Sequence, residues 1–401
     1  MTTTAVLVRL YGDGVYSIAP PEAPTVLDAR SDADIMVLEV FGGYLTWNVL
    51  AGQLIPAAVI HDADLAQEWL WAVYGEPLAL ALADDQEGMA EAAPALPALA
   101  VSARRLAYAH WASRWWPAST LDGIAALDQA LLDRDIAALT EECESLVDGA
   151  DALVAPISEP VESLLRASDY ALAAGDELPA GGLILARGAG GWDWRRCPPG
   201  LVDASERAVS WQVLRDNGTT TVAISAVAAP GMRAAVLPHL RPWAHVEFAG
   251  GEANTALSQA GDAWTGTMIT TGSPTRVDIY VPGFGPRVEP DPASRADPSS
   301  AREQDGSPAF PRESPGAHGD SRGSTGETGG SPARRVDSAG AGDSSRQEGG
   351  RGADSAAVDL RARVREFAAA RLLLAALDVD PAAPDAPLLA EIAAAAEDSD
   401  F

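Results

Sequence analysis

Val209-Ser-Trp-Gln-Val-Leu-Arg-Asp-Asn-Gly-Thr-Thr-Thr-Val-Ala-Ile-Ser-Ala-Val227 reads as two strands closed by a tight turn. Val209, Trp211 and Val213 alternate with Ser210 and Gln212, the period of a half-buried strand. Asn217-Gly218 supplies the positive backbone angles that a two-residue hairpin requires. The same alternation recurs at Val246 and Phe248, at Trp264 and Met268, and at Val277, Ile279 and Val281. Gly, Pro and Asn punctuate it about every ten residues. Residues 179–286 are therefore expected to form a β-sandwich-like domain, without the Cys-Trp-Cys spacing of antibody domains.

Downstream the pattern collapses. Residues 287–356 contain 9 Arg and 12 Asp or Glu among dense Gly, Ser and Pro, with Phe310, Val288 and Val336 the only sizeable apolar side chains. Such a stretch buries too little surface to offset its conformational entropy, and it is expected to be a disordered linker. Residues 357–401 read as a helical tail. Asp354 or Ser355 would cap a helix whose apolar stripe is Leu360, Val364, Phe367, Leu374 and Leu377, with Arg371 interrupting it. Asp380-Pro381 to Pro387 breaks the chain, and Leu388, Leu389 and Ile392 open a second helix. Two helices this short cannot hold a core alone, so the stripe needs a partner or the protein's own body.

Upstream, residues 1–84 mix strands and helix. Ala5–Leu10 and Val15–Ile18 flank Gly12-Asp13-Gly14, and Ile35–Phe41 is an apolar run suited to a strand covered on both faces. Asp62 to Tyr74 is helical, with Leu65, Trp69, Ala72 and Val73 on one side and Asp62 or Asp64 as cap. An acidic Ala/Pro connector covers 85–97. A helical block follows over 97–175, either separate from 1–84 or one unit with it. Its first helix runs from Pro97 to Trp116 and stops at Pro117. Ser119 or Thr120 would cap the next, and Ser158 starts a last one. The fold class expected is α+β multidomain.

Composition narrows the function. The 47% hydrophobic content supports two or three cores, and a net charge of −29 opposes attraction to nucleic acid or anionic membrane. Every one of the 28 basic residues is Arg. A P-loop, a protein kinase, a Schiff-base enzyme and a Ser-x-x-Lys acyl enzyme each need a Lys, so none can be built here without an unusual replacement. Two cysteines, Cys143 and Cys197, are too few for a disulfide framework or a Cys-based zinc site. No basic leader with an apolar core stands at the start, and no run nears bilayer length, so a cytoplasmic protein is expected.

Candidate chemistry is thin. Arg104, Arg105, His110, Trp111, Arg114 and Trp115 share one helix with Tyr108 and Trp116, and Trp192, Trp194, Arg195 and Arg196 form a second Trp/Arg group. Both could hold a ligand by stacking and by bidentate bonds to a carboxylate; both could equally be packing. Gly188-Ala-Gly-Gly191 fails the dinucleotide fingerprint at Asp193 and reads as a Gly-rich hairpin loop. Asp28, Asp32, Asp34 and Glu39 fit a calcium register that lacks its Gly. His61-Asp62-Ala63-Asp64 is a helix start before it is a metal site, and Glu141, Glu142 and Glu144 near Cys143 read as a solvated helix face. Gly319-Asp320-Ser321-Arg322-Gly323 matches a nucleophile elbow by chance within the linker. His239 and His245, six residues apart in a Pro-rich loop and a strand, are read as having no carboxylate or Cys companion.

No catalytic residue, metal or cofactor is expected. The leading expectation is a non-catalytic cytoplasmic adaptor that binds a protein partner through residues 357–401, with no nucleic acid or membrane partner. About 70 flexible residues would let the tail reach on the order of 45–50 Å. On this reading, deleting 357–401 would leave the body's melting temperature nearly unchanged. The alternatives are a ligand-binding module using the Trp/Arg groups, or an enzyme built on carboxylates and His61, His110, His239 or His245.

Overall fold

The computed structural model describes residues 3–21, 23–28, 33–147, 183–197, 200–232, 236–270, 272–285, 344–377, 379–380 and 383–398. The chain divides into a compact unit of Met1–Pro286 with Asp354–Phe401, and a second unit of Arg287–Ala353. The architecture mixes helices with antiparallel sheets. The expected helix from Ser158 and the elbow match at Gly319–Gly323 lie outside the described residues, as does most of the linker.

The N-terminal sheet has six strands in the order β3-β4-β5-β2-β1-β6. β1 (Thr4–Leu10) and β2 (Tyr16–Ala19) form the expected hairpin around Gly12–Gly14. Gly14 sits at φ 77°, which suits a residue without a Cβ. β3 (Ile35–Val40) pairs with β4 (Gly43–Asn48), and β4 with β5 (Ala57–Ile60). β3 departs from the expectation of a doubly covered strand. It is an edge strand, with Met36, Leu38 and Val40 buried and Val37 and Glu39 exposed.

α1 (Ala63–Tyr74) starts at Asp62, whose carboxylate accepts from the Asp64 and Leu65 amides at 3.1 Å. Trp69, Ala72 and Val73 are buried as expected, whereas Leu65 faces solvent. α2 (Glu76–Ala83) and β6 (Gly88–Ala92) occupy what reads in sequence as helix end and connector. The Gly-Met-Ala-Glu-Ala segment has little strand propensity of its own and is held by pairing with the edge of β1.

α3 (Pro97–Trp115) matches its predicted span, with Pro97 in the first turn. α4 (Gln129–Glu142) is capped by Asp128, not by Ser119 or Thr120. Those two instead bond Asp203, a carboxylate fully withdrawn from solvent. Asp203 accepts from Ser119 Oγ at 2.7 Å, Thr120 N at 2.7 Å and Ser205 N at 2.9 Å, tying the loop after α3 to the β-rich half.

That half contains a five-stranded sheet, β12-β13-β9-β8-β7, and a three-stranded one, β11-β10-β14. The opening hairpin is β8 (Val209–Asp216) and β9 (Thr219–Val227), with Asn217 at φ 48° and Gly218 at φ 85°. β7 (Leu183–Gly190) contains Gly188 and Gly190, so the glycine run is largely strand and not loop. Trp211 lies opposite Gly188, where a Cβ would come within 2.5 Å of its ring. The remaining strands are β10 (Trp243–Phe248), β11 (Gly251–Ala256), β12 (Ser258–Ala260), β13 (Ala263–Ile269) and β14 (Pro274–Tyr280). β10 pairs on one side with β11 and on the other with β14.

One hydrophobic cluster runs from Val6 and Ile18 through Trp69, Leu106 and Trp111 to Val222, Ile224 and Trp264. Buried indoles satisfy their N–H groups on backbone carbonyls: Trp69 on Phe41, Trp111 on Ala33, Trp116 on Ala125, Trp192 on Asp203 and Trp264 on Leu201. These rings hold the frame together. α5 (Ser344–Ala375) begins upstream of the expected cap, and α6 (Leu389–Asp398) follows it; Val364, Ala368, Leu388 and Ala390 belong to the same cluster. Among the described residues no helix is long and apolar enough to cross a membrane.

Candidate functional site

The site is the C-terminal helix pair and its seat. Of the expected stripe, Val364 is fully buried and Leu360 and Phe367 pack against the core, while Leu374 is half-buried and Leu377 is 65% exposed. Phe367 meets Tyr108 and Trp111 edge-on, at 6.1 and 5.9 Å between ring centroids. Offset and edge arrangements of this kind add to the area term.

Arg371, which interrupts the stripe, is the anchor. It donates through Nε to Glu391 Oε1 at 2.8 Å and through Nη2 to Oε2 at 2.6 Å. It also donates to the carbonyls of Asp385 and Ala386, and its guanidinium lies 4.8 Å from the centre of the Tyr108 ring. Glu391 is 0% exposed and accepts two further bonds, from Tyr108 OH at 2.7 Å and from its own helix at Leu388 N, 2.8 Å. The triad joins α3, α5 and α6. Burial pushes the Tyr108 hydroxyl well above its ordinary range, and the neighbouring Glu391 charge adds to the effect. Burial acts against the Arg371 charge, yet its bonds to Glu391 outweigh that and hold the guanidinium protonated.

Further along α5, Arg361 grips Glu206 in a bidentate pair at 2.6 and 2.9 Å. Arg365 reaches Glu206 at 3.2 Å, Asp122 at 3.3 Å and the Ala204 carbonyl at 3.2 Å. Sequence spacing places these arginines off the apolar stripe, and they flank it on the seat. Beside α6, burial raises the Asp135 carboxyl above its usual value, against the lowering effect of the Ala390 and Leu389 backbone. The outward side of the pair keeps large apolar groups in solvent: Leu373 is 73% exposed, Leu377 65%, Leu389 46% and Ile392 45%.

The two Trp/Arg groups meet. Arg114, Trp115, Trp192 and Trp194 line one cavity with Trp116 and Cys197, of about 30 Å³. That volume holds a water or two. Arg195 pairs with Asp193 at 2.9 Å, and Arg196 faces Asp278 at 3.6 Å and the Tyr280 ring at 5.5 Å. Arg104 donates to the carbonyls of Gln53 and Pro384, and Arg114 lies over Trp115. Arg105 Nε is buried without a partner among the described residues. Trp111, Trp192 and Trp194 are buried.

A larger cleft, about 470 Å³, opens beside the edge strand β3 and gathers Glu39, His61, His110 and Thr140. His61 lies 6.0 Å from the Tyr44 ring, and local desolvation lowers the His110 imidazole although the side chain reaches solvent. Among the described residues neither imidazole hydrogen-bonds a carboxylate, and no His, Cys, Asp or Glu group is arranged to hold a metal. His245 does have carboxylate neighbours: Glu252 at 3.6 Å and Glu247 at 3.9 Å, with Asn254 at 3.0 Å. Pairing of β10 with β11 brings Asn254 and Glu252 there, a juxtaposition that sequence adjacency does not show. Burial pushes both thiols, Cys143 and Cys197, up to about 12. No protein family matches the chain, and neither a curated protein nor a solved structure is similar to it.

Proposed function

We propose that the protein is a non-catalytic adaptor that presents its C-terminal helix pair to a protein partner. The observation that carries this reading is the two-sidedness of α5 and α6. One side is fastened to the body through Phe367 and the Tyr108–Arg371–Glu391 triad, and the other leaves Leu373, Leu377, Leu389 and Ile392 in water. Leu373 on α5, Leu377 just past its end and the i, i+3 pair Leu389 and Ile392 on α6 leave large apolar groups in water on helices that already have their intramolecular contact, which favours a helix-mediated protein contact. The helices act as a fixed platform and not as a swinging bait, because undocking them would strip Phe367 from the Tyr108 and Trp111 rings and take the Tyr108 hydroxyl from Glu391. The expectation from sequence that deleting 357–401 leaves the melting temperature nearly unchanged is therefore replaced: deletion would uncover Tyr108 and Trp111 and lower the body's stability.

The test is affinity capture from native lysate with full-length protein and its Leu373→Glu/Leu377→Glu/Ile392→Glu variant. Loss of a captured protein from the variant, with the melting temperature kept, supports the proposal. An identical set of captured proteins from both would overturn it.

The alternative, a small-ligand site, is favoured by one observation, the cleft that brings His61 and His110 together beside β3. A ligand that shifts the imidazole resonances of both would favour it.

A further inference from the structure

The N-terminal sheet has a second face, away from the helices. The loop after β2 crosses it, pinned where Thr46 Oγ1 donates to the Pro24 carbonyl at 2.6 Å. Between that loop and the strands lies a cavity of about 190 Å³, walled by Arg9 and Ser17 on one side and Asp28 on the other. Arg9 and Ser17 are directly opposite each other in the β1–β2 ladder, so both side chains stand on this face.

Three features of these residues point to a ligand. Ser17 is only 5% exposed, lines the cavity, and makes no side-chain hydrogen bond among the described residues. The hydroxyl is not sealed off, since Arg105 Nε is the one buried side-chain polar atom without a partner among the described residues, and the hydroxyl faces the cavity where an entering group can meet it. Arg9 stands at the exposed mouth of the cavity and has no ion pair among the described residues, and Asp28 is likewise exposed on the opposite wall. Asp28 directs Oδ2 to the Thr25 amide and hydroxyl at 2.6 and 3.1 Å, and its Oδ1 makes no bond among the described residues. Arg9 and Asp28 share the cavity without pairing to each other.

We infer that this cavity binds a small zwitterionic amino acid. Its carboxylate lies on the Arg9 guanidinium and the Ser17 hydroxyl, and its ammonium on Asp28 Oδ1. A simple anion would meet the Asp28 charge and a simple amine would meet Arg9, whereas a zwitterion satisfies both walls. Leu7, Ala19 and Pro21 complete the lining and suit a short aliphatic side chain. The volume fits a molecule of amino-acid size.

Saturation-transfer NMR on the full chain tests this, with L-valine titrated against isovalerate and isobutylamine, which keep its carbon skeleton around one charge each. Valine is expected to bind at millimolar concentration, with both analogues about tenfold weaker or more. Arg9→Gln is expected to weaken valine by a similar factor, and Ser17→Ala by less. Both residues lie on the face away from the helix-covered core, so circular dichroism should be unchanged. The inference is overturned if valine gives no transfer, if isovalerate binds as well as valine, or if Arg9→Gln binds valine like the wild type.

Discussion

Replacing Arg371 with Met strands a carboxylate. Glu391 has no solvent exposure and takes four bonds, two of them from Arg371 at 2.6 and 2.8 Å. After Arg371→Met it keeps only Tyr108 OH and Leu388 N, and the carbonyls of Asp385 and Ala386 lose their donor. Removing one partner of a buried ion pair costs about 3–5 kcal/mol, since the other charge is left without compensation. That corresponds to roughly two to four decades in the docking equilibrium of α5 and α6. Hydrogen exchange over Val364–Ala375 reads the docking directly, and urea unfolding followed by tryptophan fluorescence reads the rest. A second variant, Arg371→Met with Glu391→Leu, replaces the pair by apolar groups and is expected to recover most of the loss. If Arg371→Met alone costs less than about 1 kcal/mol, the value of a surface pair, the triad does not anchor the helices.

Three further outcomes are expected. Asp203→Ala orphans the buried donors of Ser119 and Ser205, while exposed Thr120 can turn to water, and should cost at least about 2 kcal/mol by calorimetry. Local desolvation of the partly exposed His110 holds its folded pKa below the ordinary 6.5, so the unfolded chain takes up the proton first and the effect is small. That contribution is intact above pH 6.5 and is lost as pH falls towards and through the folded value, so His110→Gln should flatten the decline in urea midpoint on acidification. With both thiols at about 12, Cys143 and Cys197 should resist iodoacetamide at pH 8 in the native protein and react once it is unfolded in urea.

Local physics made much of the frame legible. The Asn217-Gly218 turn, the Asp62 cap and the Pro97–Trp115 helix each depend on a few adjacent residues, and each lies where the pattern puts it. What the sequence hid depends on partners far along the chain. β6 exists because β1 offers it an edge, and Ser119 and Thr120 serve Asp203 in place of a helix. The docking stripe was visible as apolar spacing, but its anchor was not. Arg371 reads as an interruption until Glu391 and Tyr108 are brought beside it, a charge cluster that only tertiary burial assembles. The arginines of the two Trp/Arg groups look free in sequence because their carboxylate and carbonyl partners, Asp278, Gln53 and Pro384, come from distant segments.

The central claim is that α5 faces its own body with Phe367 and a partner with Leu373. Photo-crosslinking separates the two sides in one experiment, with p-benzoylphenylalanine placed at position 373 or at position 367 of the full chain in native lysate. The probe at 373 is expected to capture another protein, and the probe at 367 to crosslink only within the chain. Capture from 367 and not from 373 would contradict the claim, since the face packed on the body would then be the one that meets the partner.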